Sequence, residues 1–374
     1  MSPPTEALQR ITRLAPLPEA LARIEAVVQS VAPRELAPAA AVGSTLAADI
    51  VAAADVPARP VALRDGWAVA AEAVADAGPY APVPLTPAPA WVDAGDPMPA
   101  GADAVLPLDA LSVTKGQAEA LAPAVSGEGV LLAGEHAAKG VVLRSAGERL
   151  RPVDASILRD AGVQAVRVRW PRLKIFSASV PTRSAADTIS PLLARALEHD
   201  GCIAEVAQAA SLEAALNDQA CDAVVTIGGT GTGRRDASVK TLARVGKVEM
   251  HGIGIAPGET MAFGSVSGRP VLMLPGRLDA ALAAYLLVGR PLLARLAARP
   301  LSDVAVPVTL ARKIASTVGI AEAVFVQQTG EEAEPLGSGV FGGSALARAD
   351  GWVFVPPESE GFPAGTTVKM RLLP

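Results

Sequence analysis

Asp222-Ala-Val-Val-Thr-Ile-Gly-Gly-Thr-Gly-Thr-Gly-Arg-Arg-Asp236 is the most informative run in the chain. Ala223 to Ile227 is apolar, β-branched and short, as a strand buried on both faces is, and glycines follow it at once. Beyond them Ser238 to Val245 carries helical spacing. A strand that ends in a glycine loop and then a helix is a unit of a parallel α/β sheet, where ligands bind beyond the carboxyl ends of the strands. Loop amides and helix N-termini there present partial positive charge to an anion. Gly228, Gly229, Gly231 and Gly233 permit close backbone approach, Thr230 and Thr232 add hydroxyls, and Arg234 and Arg235 carry charge that neutralises a phosphate. A tight turn alone also uses glycine, yet an unbroken run of Gly and Thr exceeds what a turn requires. The Lys of a Walker loop is missing, and the GxGxxG of a dinucleotide fingerprint is not supplied.

Outward from this run the pattern alternates. Leu173 to Ser177, Ile203 to Val206 and Val271 to Leu274 read as strands; Ser190 to His199, Leu212 to Gln219 and Leu278 to Leu296 read as helices. The alternation predicts a mostly parallel sheet covered by helices on both faces. Leu272-Met-Leu-Pro-Gly-Arg-Leu-Asp-Ala-Ala281 repeats the design of apolar strand, Pro-Gly turn and long helix, so Pro275 and Gly276 are expected beside the first loop. Leu21, Ile24, Val28 and Val31 predict an amphipathic helix over 18–31, and 152–161 a short helix ended by Gly162. From about 45 to 135, short Val-rich runs are broken by Pro and Gly, as in a small β-rich domain. The tail from about 302 to 374 returns to short β-branched runs, a compact terminal β domain.

Length and charge bound the rest. At 374 residues the chain exceeds one ordinary core, and two to four domains are expected. Half the residues are hydrophobic but only 3% aromatic, so the core is built of Ala, Val and Leu. The 33 basic residues are interspersed with 38 acidic ones, net −5, which argues against a nucleic-acid partner. Cys202 and Cys221 are too few for a disulfide framework, which fits a reducing compartment, the cytoplasm by default. No targeting or membrane segment is expected, because Leu278 to Leu296 is interrupted by Asp279, Arg290 and Pro291. His136, His199 and His251 are scattered without metal-ligand spacing and read as surface or packing residues. In Leu63-Arg-Asp-Gly-Trp-Ala-Val69, Asp65 is a candidate functional acid, although a plain Asp-Gly turn explains it equally well.

In this order, these segments resemble the molybdopterin molybdenumtransferases, the bacterial MoeA type related to the E domain of gephyrin. Leu63-Arg-Asp-Gly-Trp-Ala-Val69 is similar to that family's Met-Asp-Gly-Tyr-Ala-Val, and Ala94-Gly-Asp-Pro-Met-Pro-Ala-Gly-Ala-Asp-Ala-Val105 to its Thr-Gly-Ala-Pro-hydrophobic-Pro-x-Gly-Ala-Asp-Ala-Val. Gly134-Glu-His136 resembles Gly-Glu-Asp, Gly228 to Gly233 resembles Gly-Gly-x-Ser-x-Gly, and Pro275-Gly-Arg277 resembles Pro-Gly-Asn-Pro. Each is weak alone; five at family-like spacing across nearly the whole chain are strong.

The resemblance implies a four-part elongated subunit, homodimeric: a discontinuous helical and linker domain (8–44 and 136–170), a β-rich inserted domain (45–135), a three-layer α/β/α molybdopterin-binding domain (171–300) and a C-terminal β-barrel-like domain (301–374). It implies that adenylylated molybdopterin and molybdate are the substrates, that AMP is released, and that magnesium is the cofactor, held near the pyrophosphate by acids from the β domain of the other subunit. Carried onto this chain, Asp65 and Asp236 take catalytic roles and Asp65 and Glu135 hold the metal. Asp187, Ser190, Asp222, the 228–233 loop, Pro275 and Gly276 bind the pterin substrate. The molybdopterin adenylyltransferase or a molybdoenzyme is the implied protein partner. The chain departs from the family pattern at Ala94, His136, Glu259 and Arg277, and in Ser177-Ala-Ser-Val-Pro-Thr182, which stands in place of Thr-Gly-Asp-Glu-Leu. A protein that binds or delivers the cofactor without catalysis keeps the glycine loops and drops the acids, and is the alternative reading.

Overall fold

The computed structural model describes residues 9–114, 116–178, 186–301, 304–337 and 339–374, without the side chains of 186 and 187. At its centre is a six-stranded sheet. Its elements in chain order are β1 (Arg172–Ser177), α1 (Ala186–His199), β2 (Ile203–Val206), α2 (Leu212–Asn217), β3 (Ala223–Ile227), α3 (Ser238–Val245), β4 (Lys247–His251), β5 (Ile253–Ala256), β6 (Ala262–Val266), β7 (Arg269–Leu274) and α4 (Leu278–Ala297). The strands lie in the order β2-β1-β3-β7-β6-β4, the first four parallel and the last two antiparallel; β5 belongs to another sheet.

Strand alternation explains the layers. Ala223, Val225 and Ile227 share one core with Leu173, Ile175, Leu272 and Leu274, facing Ile189 and Leu193 of α1 and the buried face of α4. Val224 joins Val271 and Met273 on the opposite face, against Leu216 of α2 and Val239 and Leu242 of α3. All five residues of β3 are buried, as its unbroken apolar run predicts. α4 is long and apolar enough to cross a membrane by composition, but its apolar window is 83% buried inside this core.

Two features differ from the sequence expectation. The predicted 18–31 helix runs Leu17–Val27 and ends where Val28 becomes extended; Val31 continues by donating its amide to the Leu296 carbonyl at 2.8 Å. Leu17, Ala20, Ile24 and Val28 enter the α/β core, and Arg295 Nε donates to the Val28 carbonyl at 3.0 Å. Residues 17–31 therefore pack with the sheet, not with the helical and linker body in which the resemblance puts 8–44. The second difference is the antiparallel β4–β6 ladder, where no strand is expected from sequence. Lys247 to Val266 is interrupted by four glycines, Gly252, Gly254, Gly258 and Gly264, a loop-like composition. At Gly264 the reason is close approach: a Cβ there would lie 2.2 Å from the Lys247 carbonyl oxygen.

The C-terminal part is a five-stranded closed barrel of β8 (Ala305–Leu310), β9 (Ala321–Thr329), β10 (Glu332–Pro335), β11 (Gly351–Val355) and β12 (Thr367–Leu372), in the order β9-β10-β8-β12-β11 and back to β9. Val308, Leu310, Val324, Val326, Val353, Val355 and Met370 fill it. β5 extends the barrel sheet by pairing parallel to β9, and the strand Ala15–Pro16 pairs parallel to β5. The β-rich part carries two three-stranded sheets, one of which places Gly66–Val69 between Ala90–Val92 and Ala104–Leu106. The helical and linker body joins Arg34–Leu36, Thr45–Leu46 and Val166–Arg169 beside the helix Pro152–Asp160.

If the N-terminal helix is part of the α/β core, Ile24→Ala costs roughly 3 kcal/mol by removing a buried branched side chain. Denaturant titration followed by circular dichroism measures this; a loss under about 1 kcal/mol would place Ile24 outside a tightly packed core.

Candidate functional site

β3 delivers the glycine loop to the carboxyl edge of the parallel strands. The Gly228 amide still donates to the Leu274 carbonyl at 2.9 Å, so the first glycine extends the β3–β7 ladder. Gly228 and Gly229 then turn the chain with φ of +86° and +72°. At Gly229 no side chain fits: a Cβ would lie 2.2 Å from Ser238 Oγ at the start of α3.

The hydrogen bonding of the loop is one-sided. Ser238 Oγ donates to the Gly228 carbonyl at 2.9 Å and the Ser238 amide to the Gly229 carbonyl at 3.0 Å. Gln9 Nε2 donates to the carbonyls of Gly229 at 2.8 Å and Gly231 at 2.5 Å. His251 Nε2 lies 2.9 Å from the Thr230 carbonyl and, since that oxygen only accepts, carries the proton. The carbonyls of 228 through 231 are thus all satisfied. The amides of Gly229, Thr230, Gly231 and Thr232 find no acceptor among the described residues. Such a run of unpaired amides is an anion-binding concavity in chemical terms. Thr230 is buried, its hydroxyl 3.2 Å from that of Thr260; Gly229 and Gly231 are half-buried, and Thr232, Gly233, Arg234 and Arg235 are exposed.

Asp236 shapes this loop. Its Oδ2 accepts from the Gly233 amide at 2.9 Å and lies 2.8 Å from where a Cβ on Gly231 would stand. The carboxylate expected to act in catalysis is therefore engaged in closing the loop exit. Beside it, a cleft of about 770 Å³ opens between α1 and α3, lined by Phe176 and Ser177 of β1, Ser190, Ser211, Arg235, Ser238 and Thr241. The glycines themselves do not line this cleft; Arg235 and Ser238 connect it to the loop. Ser190 thus lies on the cleft wall, whereas the Asp187 side chain falls outside the described residues.

Pro275 and Gly276 close the edge of β7, and a Cβ on Gly276 would stand 3.3 Å from Gly228 Cα, so the two loops touch. Arg277 forms a two-pronged ion pair with Asp279, whose Oδ2 also accepts from the Phe341 amide at 2.9 Å. Burial pushes the Asp279 carboxyl up, but Arg277 and the amides of Phe341 and Ala280 outweigh it and hold the group below its ordinary 3.8.

Other expected site residues make local contacts. Asp222 lies at the amino end of β3, accepting from the Arg172 amide at 2.7 Å; the five residues of β3 place it roughly 15–20 Å from the loop, so it staples a strand start and holds no ligand there. Asp65 is exposed and accepts from the Ala94 amide at 2.8 Å; Glu135 is exposed and accepts from the Leu132 amide at 2.8 Å. Among the described residues no three of His, Cys, Asp or Glu come together as a metal site. No chemical step is assigned to magnesium, which one or two carboxylates together with a substrate phosphate suffice to hold. In the adjoining motif, Asp103 is held below its ordinary range by the Ala71 amide first and by Ser126, a turn-closing role. Both cysteines are free and buried, and burial pushes the Cys202 thiol up to about 12.

Gln9, Ser238, Thr260 and His251 are site residues that sequence reading alone misses. Gln9 stands 220 positions from Gly229, so no local pattern connects them. For His251 the overlooked signal is its place on β4, whose strand character the intervening glycines obscure.

Fold and loop together define an α/β domain with an amide-lined glycine loop at its sheet edge, carried among β-rich parts. Three family descriptions match consecutively: the MoeA N-terminal region (domain I and II) over residues 6–162, the "Probable molybdopterin binding domain" over 174–295, and the MoeA C-terminal region (domain IV) over 307–373. The chain belongs to the MoeA family of molybdopterin biosynthesis proteins. It is 28% identical over 366 residues to a Methanocaldococcus jannaschii protein assigned by inference to molybdopterin biosynthesis, covering 87% of this chain and 89% of that one. It is 28% identical over 294 residues to molybdopterin molybdenumtransferase 2 of Mycobacterium tuberculosis, covering 67% and 71%. A molybdopterin biosynthesis MoeA protein of Pyrococcus horikoshii has the same fold, with a TM-score of 0.74 at 27% identity over 97% of this chain and 100% of that one.

This geometry makes two outcomes testable. Gly229→Ala, strained in backbone and blocked by Ser238, destabilises the protein by about 1–3 kcal/mol and abolishes molybdopterin binding measured by fluorescence titration; undiminished affinity would remove the loop from the site. For Asp279, whose folded-state pKa is depressed, the stabilisation is present above pH 3.8 and is lost as pH falls from there through the lower folded value. The stability gap between the protein and Asp279→Asn, measured by denaturant titration, therefore narrows below about pH 4; a gap constant with pH would show that the carboxylate charge is irrelevant.

Proposed function

We propose that the glycine loop and the adjoining cleft bind the phosphate and pterin of adenylylated molybdopterin, and that the chain inserts molybdate with release of AMP. The observation that carries this reading is the asymmetry of the loop: four consecutive carbonyls accept hydrogen bonds while the four amides of the same peptide groups have no acceptor among the described residues. An anion supplies what those amides lack. Arg235 adds positive charge between loop and cleft, and Ser190, Ser211 and Thr241 make the cleft wall polar. The names of the Mycobacterium tuberculosis relatives and the family assignment favour this substrate. A homodimer belongs to the same reading, because Asp65 and Glu135 stand on the β-rich part and the described residues of one subunit do not gather them into a donor set of three.

That no three of His, Cys, Asp or Glu meet among the described residues favours the alternative, in which the chain binds and delivers the cofactor without catalysis. Purified protein incubated with adenylylated molybdopterin, molybdate and magnesium distinguishes the two. Transfer predicts AMP release that Gly229→Ala reduces by at least about tenfold; tight binding without AMP release assigns delivery, and no binding refutes both.

A further inference from the structure

The same loop is held from behind by a residue remote in sequence. Gln9 is only 4% exposed, and both hydrogens of its Nε2 are used, one on the Gly229 carbonyl and one on the Gly231 carbonyl. Turning the carboxamide over would set Oε1 against two carbonyl oxygens, so the orientation is fixed. A trans peptide points its carbonyl and the following amide in opposite directions. Drawing the Gly229 and Gly231 carbonyls toward Gln9 therefore turns the Thr230 and Thr232 amides away from it. Gln9 Oε1, although buried, has no hydrogen-bond partner among the described residues. Among the described residues, then, only the donor half of this buried carboxamide is used. The clamp is anchored by the adjoining chain: the Ala15 amide donates to the Gly252 carbonyl at 3.0 Å, Ala15–Pro16 pairs with β5, and the next helix is buried in the α/β core.

We propose that Gln9 is a positioning residue of the anion site, holding two loop carbonyls back so that the Thr230 and Thr232 amides face the phosphate. This rests on the reading of the loop as the phosphate site. The test uses full-length protein and molybdopterin as the probe, with affinity measured by fluorescence titration and folding checked by circular dichroism. Gln9→Ala weakens binding by about tenfold while the fold is kept. Gln9→Glu is the sharper variant: its carboxylate repels the carbonyls at pH 8, whereas its protonated form regains a donor, so affinity recovers as pH falls toward 5. The other titratable and charged groups at the loop are His251, Asp236, Arg234 and Arg235. The unaltered protein and Gln9→Ala, titrated over the same range, show what those groups contribute and lack the recovery. Equal affinity of both variants and the parent, or no recovery in Gln9→Glu, overturns the proposal while leaving the phosphate site intact. Failure of the parent protein to bind molybdopterin overturns the phosphate-site reading and this proposal with it.

Discussion

A peptide group cannot offer its carbonyl and its amide to the same side, and the glycine loop is organised around that constraint. If the carbonyls of Gly228 to Gly231 were left to solvent, the loop would have no preferred face. Ser238, Gln9 and His251 take them up from three separate directions. The amides of 229–232, which have no acceptor among the described residues, are turned to the other side as a consequence of that arrangement.

Those three directions are three parts of the fold. Ser238 begins α3 on one face of the sheet, and His251 ends the antiparallel edge strand β4. Gln9 enters on the N-terminal segment that pairs with β5, which in turn pairs with the barrel strand β9. One continuous seven-stranded sheet thus joins the clamp, the α/β domain and the barrel. The loop conformation is coupled to the packing of elements that never touch a ligand. Such coupling is the expected origin of a preorganised site, since a loop this rich in glycine loses much backbone entropy when it is fixed.

The local half of this design is legible in the sequence. β3, its glycine loop and α3 form one run, and the parallel strands announce themselves by apolar patterning, which is why β1, β2, β3 and β7 match their expected positions. The N-terminal helix is visible as amphipathic, but periodicity says which face is buried and not what buries it. The β4–β6 ladder is hidden because glycines required by close strand approach read as loop. Asp222 misleads for a related reason: adjacency to β3 in sequence puts it at the amino end, while the loop lies at the carboxyl end. Asp65 and Asp236 are legible as acids at turns; which turn-closing amide each accepts depends on geometry that spacing does not encode.

Charge placement separates two kinds of recognition. Arg277, which stands where the family has Asn, is paired by Asp279 with the Arg guanidinium pushed above its ordinary range, so its charge is largely committed within its own loop. Glu259 accepts from the Gly258 amide at 3.1 Å. Neither replacement alters the donors at 229–232, because these belong to the backbone. Recognition by backbone amides survives side-chain substitution as long as the loop keeps its shape, whereas metal-assisted chemistry depends on particular carboxylates meeting at one point. In this chain the amide donors lie within a single subunit, and among its described residues no three of His, Cys, Asp or Glu meet. Under the proposed function, substrate binding is therefore the half that rests on backbone geometry, and it does not depend on the replaced side chains.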